Sequence, residues 1–252
     1  MEEEYSMKNK PVIVVVMPAY NAQKTLEKTY RDVPKDVVSE IILVDDGSRD
    51  KTVELARKLQ IKTFVHPNNL GYGGNQKTCY WEALKLDPDV VIMIHPDYQY
   101  DATLIPEMIR PILQNRYDMM FGSRIRTRKE ALEGGMPAMK YFFNRLYTIG
   151  ANILLGVNFS EHMSGMRAYS RKTLKTVPFQ RFTNDFAFDQ QFTVSAISFG
   201  LRIGELPIPV RFYEESSSIR FIPGLKFGIE SLVILTQYLA HKSGMVKNKM
   251  FK

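Results

Sequence analysis

Four strand-like runs in the first hundred residues each stop at a cluster of polar side chains, and helical patterns separate them. The runs are Val12 to Met17, stopped at Pro18; EIILV; KTFVH; and Val90 to Ile94. The clusters that follow them are PAYN, DDGS, NNLGYGGNQ and HPDYQ. Short β-branched runs with polar boundaries suit buried strands of a parallel sheet. Between them, AQKTLEKTYRDV reads as a helix capped by Asn21 and ended by Pro34, KTVELARKLQ as one capped by Ser48 or Asp50, and KTCYWEALKL as a third. This βαβαβαβ order predicts an α/β fold with right-handed crossovers. Such sheets bind ligands beyond the carboxyl ends of their strands, so the four clusters are expected on one edge.

The fourth cluster holds His95, Asp97 and Gln99. Two residues apart in extended chain, Asp97 and Gln99 face the same side. Their oxygens suit magnesium or manganese, to which a diphosphate would add more. A plain polar turn after a strand is the alternative. The glycine cluster matches neither familiar phosphate loop, because Gln76 stands before Lys77 where a Walker loop has glycine, and also at the third glycine position of the dinucleotide fingerprint. Pro18, Ala19, Tyr20 and Asp45 instead offer apolar walls and hydrogen-bonding edges to a nucleotide base. Lys77, near a helix start, is a candidate phosphate partner or a solvated helix lysine.

Downstream, DATLIPEMIRPILQN reads as a helix interrupted at Pro111, and YDMMFGSRI as a fifth strand leading to Arg124. RIRTRKEALEGGMP reads as a charged, mobile loop. A helical segment, MKYFFNRLYTIGANILLG, is broken by Arg145 and Asn152; SEHMSGMRAYSRK is loop and short strand; FDQQFTVSAISFG is a helix; and RIGELPIPVRFYEE gives two short strands broken at Pro207 and Pro209. The expected organisation is a disordered tail at 1–10, one α/β domain at 11–222, and an amphipathic helix with a basic tail at 223–252.

The formal charge of +7 favours an anionic partner. Dispersed basic residues without a helix-turn-helix or RNA-binding signature argue against nucleic acid. A single cysteine, Cys79, excludes an intrachain disulfide, fits a reducing compartment and suits packing in a helix. Neither a secretion signal nor an apolar run of transmembrane length stands out, so a cytoplasmic protein is expected.

Taken together, MPAYN, VDDGS, NLGYGGN, the Asp97-x-Gln99 pair, GSR, SGMRAYSR and ELPIPVRFYEESSS resemble glycosyltransferase family two over roughly residues 11 to 220. The resemblance is closest to its dolichyl-phosphate mannosyltransferase and polyprenyl-phosphate branch. It implies a GT-A fold, a nucleotide-diphosphate sugar donor, a divalent metal (Mg2+ or Mn2+), inversion at the anomeric carbon and a polyprenyl phosphate acceptor. On matching positions it implies that Pro18, Ala19, Tyr20, Asn21, Asp45 and Asp46 line the donor pocket. Asp97 and Gln99 would hold the metal, and His95, standing where the family has its first aspartate, would belong to the donor-binding residues. Arg124, Lys140 and Arg167 would position the acceptor phosphate, with Asn144 at a usual serine position and Arg145 as a substitute cation. Glu161 stands where aspartate is common, and Ser216 to Arg220 would cover the diphosphate. A saccharide hydroxyl acceptor would instead need a base, for which Asp185 and Asp189 are the candidates; Asp185 also reads as a helix N-cap. A non-catalytic nucleotide-sugar binder is a further alternative.

Two segments are expected at a membrane interface: Tyr141 to Phe159, and Leu225 to His241 with Lys242, Lys247, Lys249 and Lys252 behind it. The partners expected are therefore the donor, the lipid acceptor, the cytoplasmic membrane face, and a homo-oligomer or membrane protein.

Overall fold

The computed structural model describes residues 10–125, 127–133, 135–209 and 221–251. The expected tail at 1–10, apart from Lys10, and the expected loop Ser216 to Arg220 lie outside them. Seven strands form one sheet: β1 (Ile13–Ala19), β2 (Glu40–Asp45), β3 (Lys62–Val65), β4 (Val90–Met93), β5 (Met119–Ser123), β6 (Arg167–Ser170) and β7 (Ile203–Pro207). Their order is β3-β2-β1-β4-β6-β5-β7. The helices are α1 (Leu26–Asp32), α2 (Thr52–Lys58), α3 (Tyr72–Leu84), α4 (Ile105–Leu113), α5 (Arg128–Glu133), α6 (Ala138–Leu155), α7 (Arg171–Thr176), α8 (Phe188–Ser198) and α9 (Phe221–Lys242).

Strand β1 is central because both of its faces are apolar. Ile13, Val15 and Met17 pack into one cluster with Leu26, Ile105 and Ile109, whereas Val14 and Val16 pack into another with Cys79, Tyr80 and Phe192. Each such side chain stabilises the fold by about 1.5–3 kcal/mol when fully buried. Cys79 belongs to this core, and burial holds its thiol well above the usual range.

Several local expectations change. Strand β1 runs through Pro18, whose Cα pairs with Val44. Val16 accepts from Ile94 on the β4 side, and two residues further on that neighbour has ended, so Pro18 lacks only a donor the ladder does not require. Asn21 caps no helix. It sits at φ 51, donates its N–H to Ser48 Oγ at 2.7 Å and accepts from Arg49 N at 2.9 Å, while α1 begins at Leu26. Pro111 lies in the last turn of an unbroken α4, the expected loop contains α5, and α6 passes uninterrupted through Arg145 and Asn152 to a left-handed Gly156. Among the described residues one strand, β7, stands where two were expected. Strand β6 enters between β4 and β5, antiparallel to both.

The basic tail is folded back. Ser195 Oγ donates to the Met250 carbonyl at 2.6 Å and Ser198 Oγ to that of Phe251 at 2.8 Å, and the Phe251 ring is fully buried against Tyr238 between α8 and α9. Phe251→Ala is expected to lower the unfolding free energy by about 3 kcal/mol, since a chain end can partly relax into the gap. Urea denaturation measures this directly.

Candidate active site

The order of strands reverses between β1 and β4, which creates a crevice at their carboxyl ends. The polar clusters close around it through mutual hydrogen bonds. Thr25 Oγ1 donates to the Pro96 carbonyl at 2.6 Å, and Asn75 Nδ2 to that of Ala19 at 3.3 Å. Tyr72 Oη lies 3.1 Å from His95 Nε2. Pro18 and Ala19 form a buried wall, and Tyr20 is half exposed at the mouth. Asp45 accepts from Ser48 N at 2.9 Å through Oδ2, but its Oδ1 and Asn75 Oδ1 are buried without partners. An unmatched buried acceptor costs about 1–3 kcal/mol, so these two atoms mark where ligand N–H groups would be favoured.

Asp46 does not line this pocket with a free carboxylate. It accepts from Leu70 N at 2.8 Å and Gly71 N at 2.9 Å, and meets His66 Nδ1 at 2.8 Å, anchoring the glycine loop. The glycines serve packing. A Cβ at Gly73 would lie 2.5 Å from the Thr183 carbonyl oxygen, and Gly73 N donates to the Asn184 carbonyl at 2.7 Å. Lys77 is likewise committed, donating to the Phe182 carbonyl and, at 2.8 Å, to Asn184 Oδ1; it does not face the crevice as a phosphate ligand.

On the other flank, Glu161 is fully buried and grips Arg124 twice, at 3.1 Å from Nε and 2.8 Å from Nη2, and accepts from Arg124 N at 2.6 Å. Asn144 Nδ2 adds a bond at 3.3 Å. Burial opposes both charges, but the pairing outweighs it: the guanidinium is pushed up and the carboxyl down. Burial and the neighbouring Arg124 lower Lys140 to about 8, with Glu161 and Asp97 partly offsetting them. Arg124, at the end of β5, and Asp97, after β4, thus both act electrostatically on Lys140.

A profile for Glycosyl transferase family 2 matches residues 14–177. The chain is a family 2 glycosyltransferase. It is 31% identical to an uncharacterised protein of Methanocaldococcus jannaschii over 83% of this chain and 86% of that one. It is 27% identical to a UDP-N-acetylglucosamine–dolichyl-phosphate N-acetylglucosaminyltransferase of Methanococcus voltae, covering 81% and 88%, and 29% identical to a dolichyl-phosphate hexose transferase of Haloferax volcanii, covering 79% and 82%. Its GT-A fold superposes on glucosyl-3-phosphoglycerate synthase from Mycobacterium tuberculosis with a TM-score of 0.71 at 19% identity, over 90% of this chain and 80% of that one. That enzyme has been solved with Mn2+ and uridine diphosphate.

In this glycosyltransferase, four expected site groups are taken up by protein partners. Arg167 has no exposed surface, and its guanidinium donates to the carbonyls of Ser164, Asp189 and His162 and to Thr193 Oγ1, so it organises the backbone and cannot touch an acceptor. Asp185 pairs with Lys226 of α9 at 2.5 Å. Asp189 accepts from Tyr72 Oη at 2.6 Å and Gln76 Nε2 at 3.2 Å. Arg145 donates to the Ser160 carbonyl. Tyr72 is the residue sequence reasoning passed over; an aromatic among glycines was its one signal.

The chain at Asp97 is a turn, with Tyr98 at φ 61 and Gln99 N donating to Asp97 Oδ1 at 3.1 Å, so the same-side argument from extended backbone does not apply. Among the described residues no three His, Cys, Asp or Glu groups could hold a metal by themselves. One carboxylate and one carboxamide nevertheless fit a magnesium-like cation, which characteristically takes one or two carboxylates and completes its shell with phosphate oxygens and water.

Proposed function

We propose that the chain transfers a sugar, with inversion, from a nucleoside-diphosphate donor to a polyprenyl phosphate at the cytoplasmic face of a membrane. The observation that carries this is that Lys140 lies within electrostatic reach both of Asp97, after β4, and of the buried Arg124 at the end of β5. A donor whose base lies against Pro18, Ala19 and Asp45 would bring its diphosphate toward Asp97. A phosphate acceptor would be drawn to Lys140 on the far side of the anomeric carbon, with the Glu161-paired Arg124 behind it. Single displacement between opposed groups inverts that carbon, and positioning supplies much of the rate.

A cation held by Asp97 and Gln99 would supply Lewis acidity to the leaving diphosphate. A phosphate nucleophile is already anionic and needs no base. That suits a site where both Asp185 and Asp189 are hydrogen-bonded to protein donors. A saccharide hydroxyl would need one of them released. The two relatives named for dolichyl-phosphate transfer support the lipid acceptor.

Helix α6 supports the membrane surface. Met139, Phe142, Phe143, Leu146, Ile149 and Ile153 are each more than half exposed, whereas Asn144 and Thr148 are buried. The inner side also carries Ala151 and Leu155 into a core with Ile234 and Leu235, so α6 has a second apolar face that covers no core. Ile229 and Leu232 extend the apolar surface onto α9, which packs against α6, and Lys242, Lys247 and Lys249 follow. Among the described residues no helix is long and apolar enough to cross a membrane. Basic residues beside an apolar helix face favour anionic headgroups. Leu146→Glu/Ile153→Glu is expected to abolish co-sedimentation with anionic liposomes while the protein stays folded; unchanged binding would remove this surface from the proposal.

Incubation of UDP- and GDP-linked radiolabelled sugars with a short polyprenyl phosphate tests the reaction, and label that never enters the lipid phase with either donor refutes it. The pH dependence gives a second check. Lys140 attracts the acceptor only when protonated, so kcat/KM for the phosphate acceptor should fall as pH rises through about 8. Lys140→Arg, always charged, should move that fall to higher pH.

A further inference from the structure

A cavity lies at one side of the exposed apolar face of α6. Its volume is about 380 Å³, within the size range of small-ligand pockets. Its polar lining includes Arg128 from α5, Tyr141 and Arg145 from α6, Asn158 from the chain after α6, and Glu205 from β7. Among the described residues none bonds to or pairs with the Arg128 guanidinium. Arg145 donates through Nη1 to the Ser160 carbonyl, and its Nε and Nη2 donors have no partner among the described residues. The Tyr141 hydroxyl and the Asn158 carboxamide are uncommitted in the same way.

One carboxylate lines the same space, and protein donors already meet its charge. Glu205 accepts from Ser160 N at 2.8 Å, from Ser160 Oγ at 3.0 Å and from Glu161 N at 3.4 Å, and burial raises its carboxyl above the usual range. The two guanidiniums therefore outweigh it, and an arginine fork matches phosphate oxygens bidentately. The place of the cavity narrows the source of such a phosphate. Arg145 stands three residues after Phe142 and four before Ile149, so it neighbours both on the helix surface, and both are more than half exposed. Lys140 is five positions earlier, about 140° around the helix, on the other flank.

We infer that the cavity at Arg128 and Arg145 holds the phosphate of an anionic phospholipid headgroup when the apolar face of α6 lies on a bilayer. It is a second phosphate site, separate from the one that would draw the acceptor to Lys140. A guanidinium at the border of an apolar helix face sits at headgroup depth once that face enters the acyl boundary. Two of them around a recess hold one headgroup in place, where dispersed surface lysines attract the bilayer only as a whole. The inference rests on the membrane surface proposed for α6 and is independent of the proposed transfer reaction.

The test titrates the full chain with vesicles of phosphatidylcholine, alone or mixed with phosphatidylglycerol, at physiological salt, and with soluble glycerol phosphate in calorimetry. Arg128→Gln is expected to weaken binding to the phosphatidylglycerol vesicles roughly 5–10-fold. Asn158→Trp, which fills the cavity without changing charge, should weaken it comparably. Lys58→Gln removes the same charge from α2, which packs on β2 and β3 at the opposite end of the sheet, and should change binding by less than about twofold. Equal losses for Arg128→Gln and Lys58→Gln, or parent affinity in Asn158→Trp, show diffuse attraction and overturn the inference. Glycerol phosphate binding that is lost in Arg128→Gln while vesicle binding stays unmoved keeps a phosphate site but overturns its lipid source. Vesicle binding that needs Leu146 and Ile153 but not Arg128 overturns this inference alone, whereas a parent that binds neither kind of vesicle overturns the membrane surface as well.

Discussion

Glu161→Ala is expected to lower the unfolding free energy by about 3–5 kcal/mol, because it strands the Arg124 guanidinium without a counter-charge in a buried site. Arg124 would keep a bond to the Met163 carbonyl but lose both contacts to the carboxylate, as well as the acceptor for its own N–H. Replacing both partners tells the two parts of this effect apart. Arg124→Met/Glu161→Leu should recover much of the lost stability, since a well-packed apolar pair is often as stable as a buried ion pair. Acceptor binding should not recover in that double variant, because the charge is gone. The pair also has a pH signature. Pairing holds the Glu161 carboxyl below the usual carboxylate range, so its contribution is complete above that range and is lost only as pH falls through the depressed value. Urea midpoints across acid pH for the single and double variants measure both points; a Glu161→Ala protein as stable as the parent would contradict the assignment.

The parallel half of the sheet was legible because its signal is local. Residues Val12 to Met17 and Val90 to Ile94 are β-branched runs buried on both faces, and each ends where polar side chains begin. The convergence of PAYN, DDGS, GYGGN and HPDYQ followed from topology alone, since parallel strands present equivalent ends to one edge. Strand β6 was another matter. Its four residues, RAYS, have no useful periodicity, and their place between β4 and β5 depends on partners more than forty residues away. Nor does sequence show where a charged side chain is turned. Arg167, Lys77, Asp46 and Asp185 each stand in a motif, but the structure commits each to a carbonyl, an amide or an ion pair. The exposed face of α6 had the same origin: its aromatics suited a core helix equally well, but the core takes Ala151 and Leu155 from the other side and leaves Phe142 and Phe143 outside.

Asp97→Ala is expected to reduce kcat/KM for transfer by roughly 10²–10³-fold, the scale on which removing one preorganised electrostatic group at a developing charge is felt. The leaving group of the proposed reaction is a nucleoside diphosphate, and Asp97 is the rim carboxylate able to hold a cation against it. The fold should survive. Asp97 is partly exposed, and its bond from Gln99 N at 3.1 Å is worth about 1 kcal/mol. Asp97→Asn separates charge from shape: it keeps an oxygen for that backbone bond, yet should lose nearly as much activity, because a neutral amide neutralises nothing. Isothermal titration should show Mn2+ binding weakened in both variants while nucleotide contacts at Asp45 remain. If either variant transfers sugar at close to the parent rate, the departing diphosphate is stabilised elsewhere. The Lys140 and Arg124 cluster would then be the group to test next, since it is the positive charge that lies within electrostatic reach of Asp97.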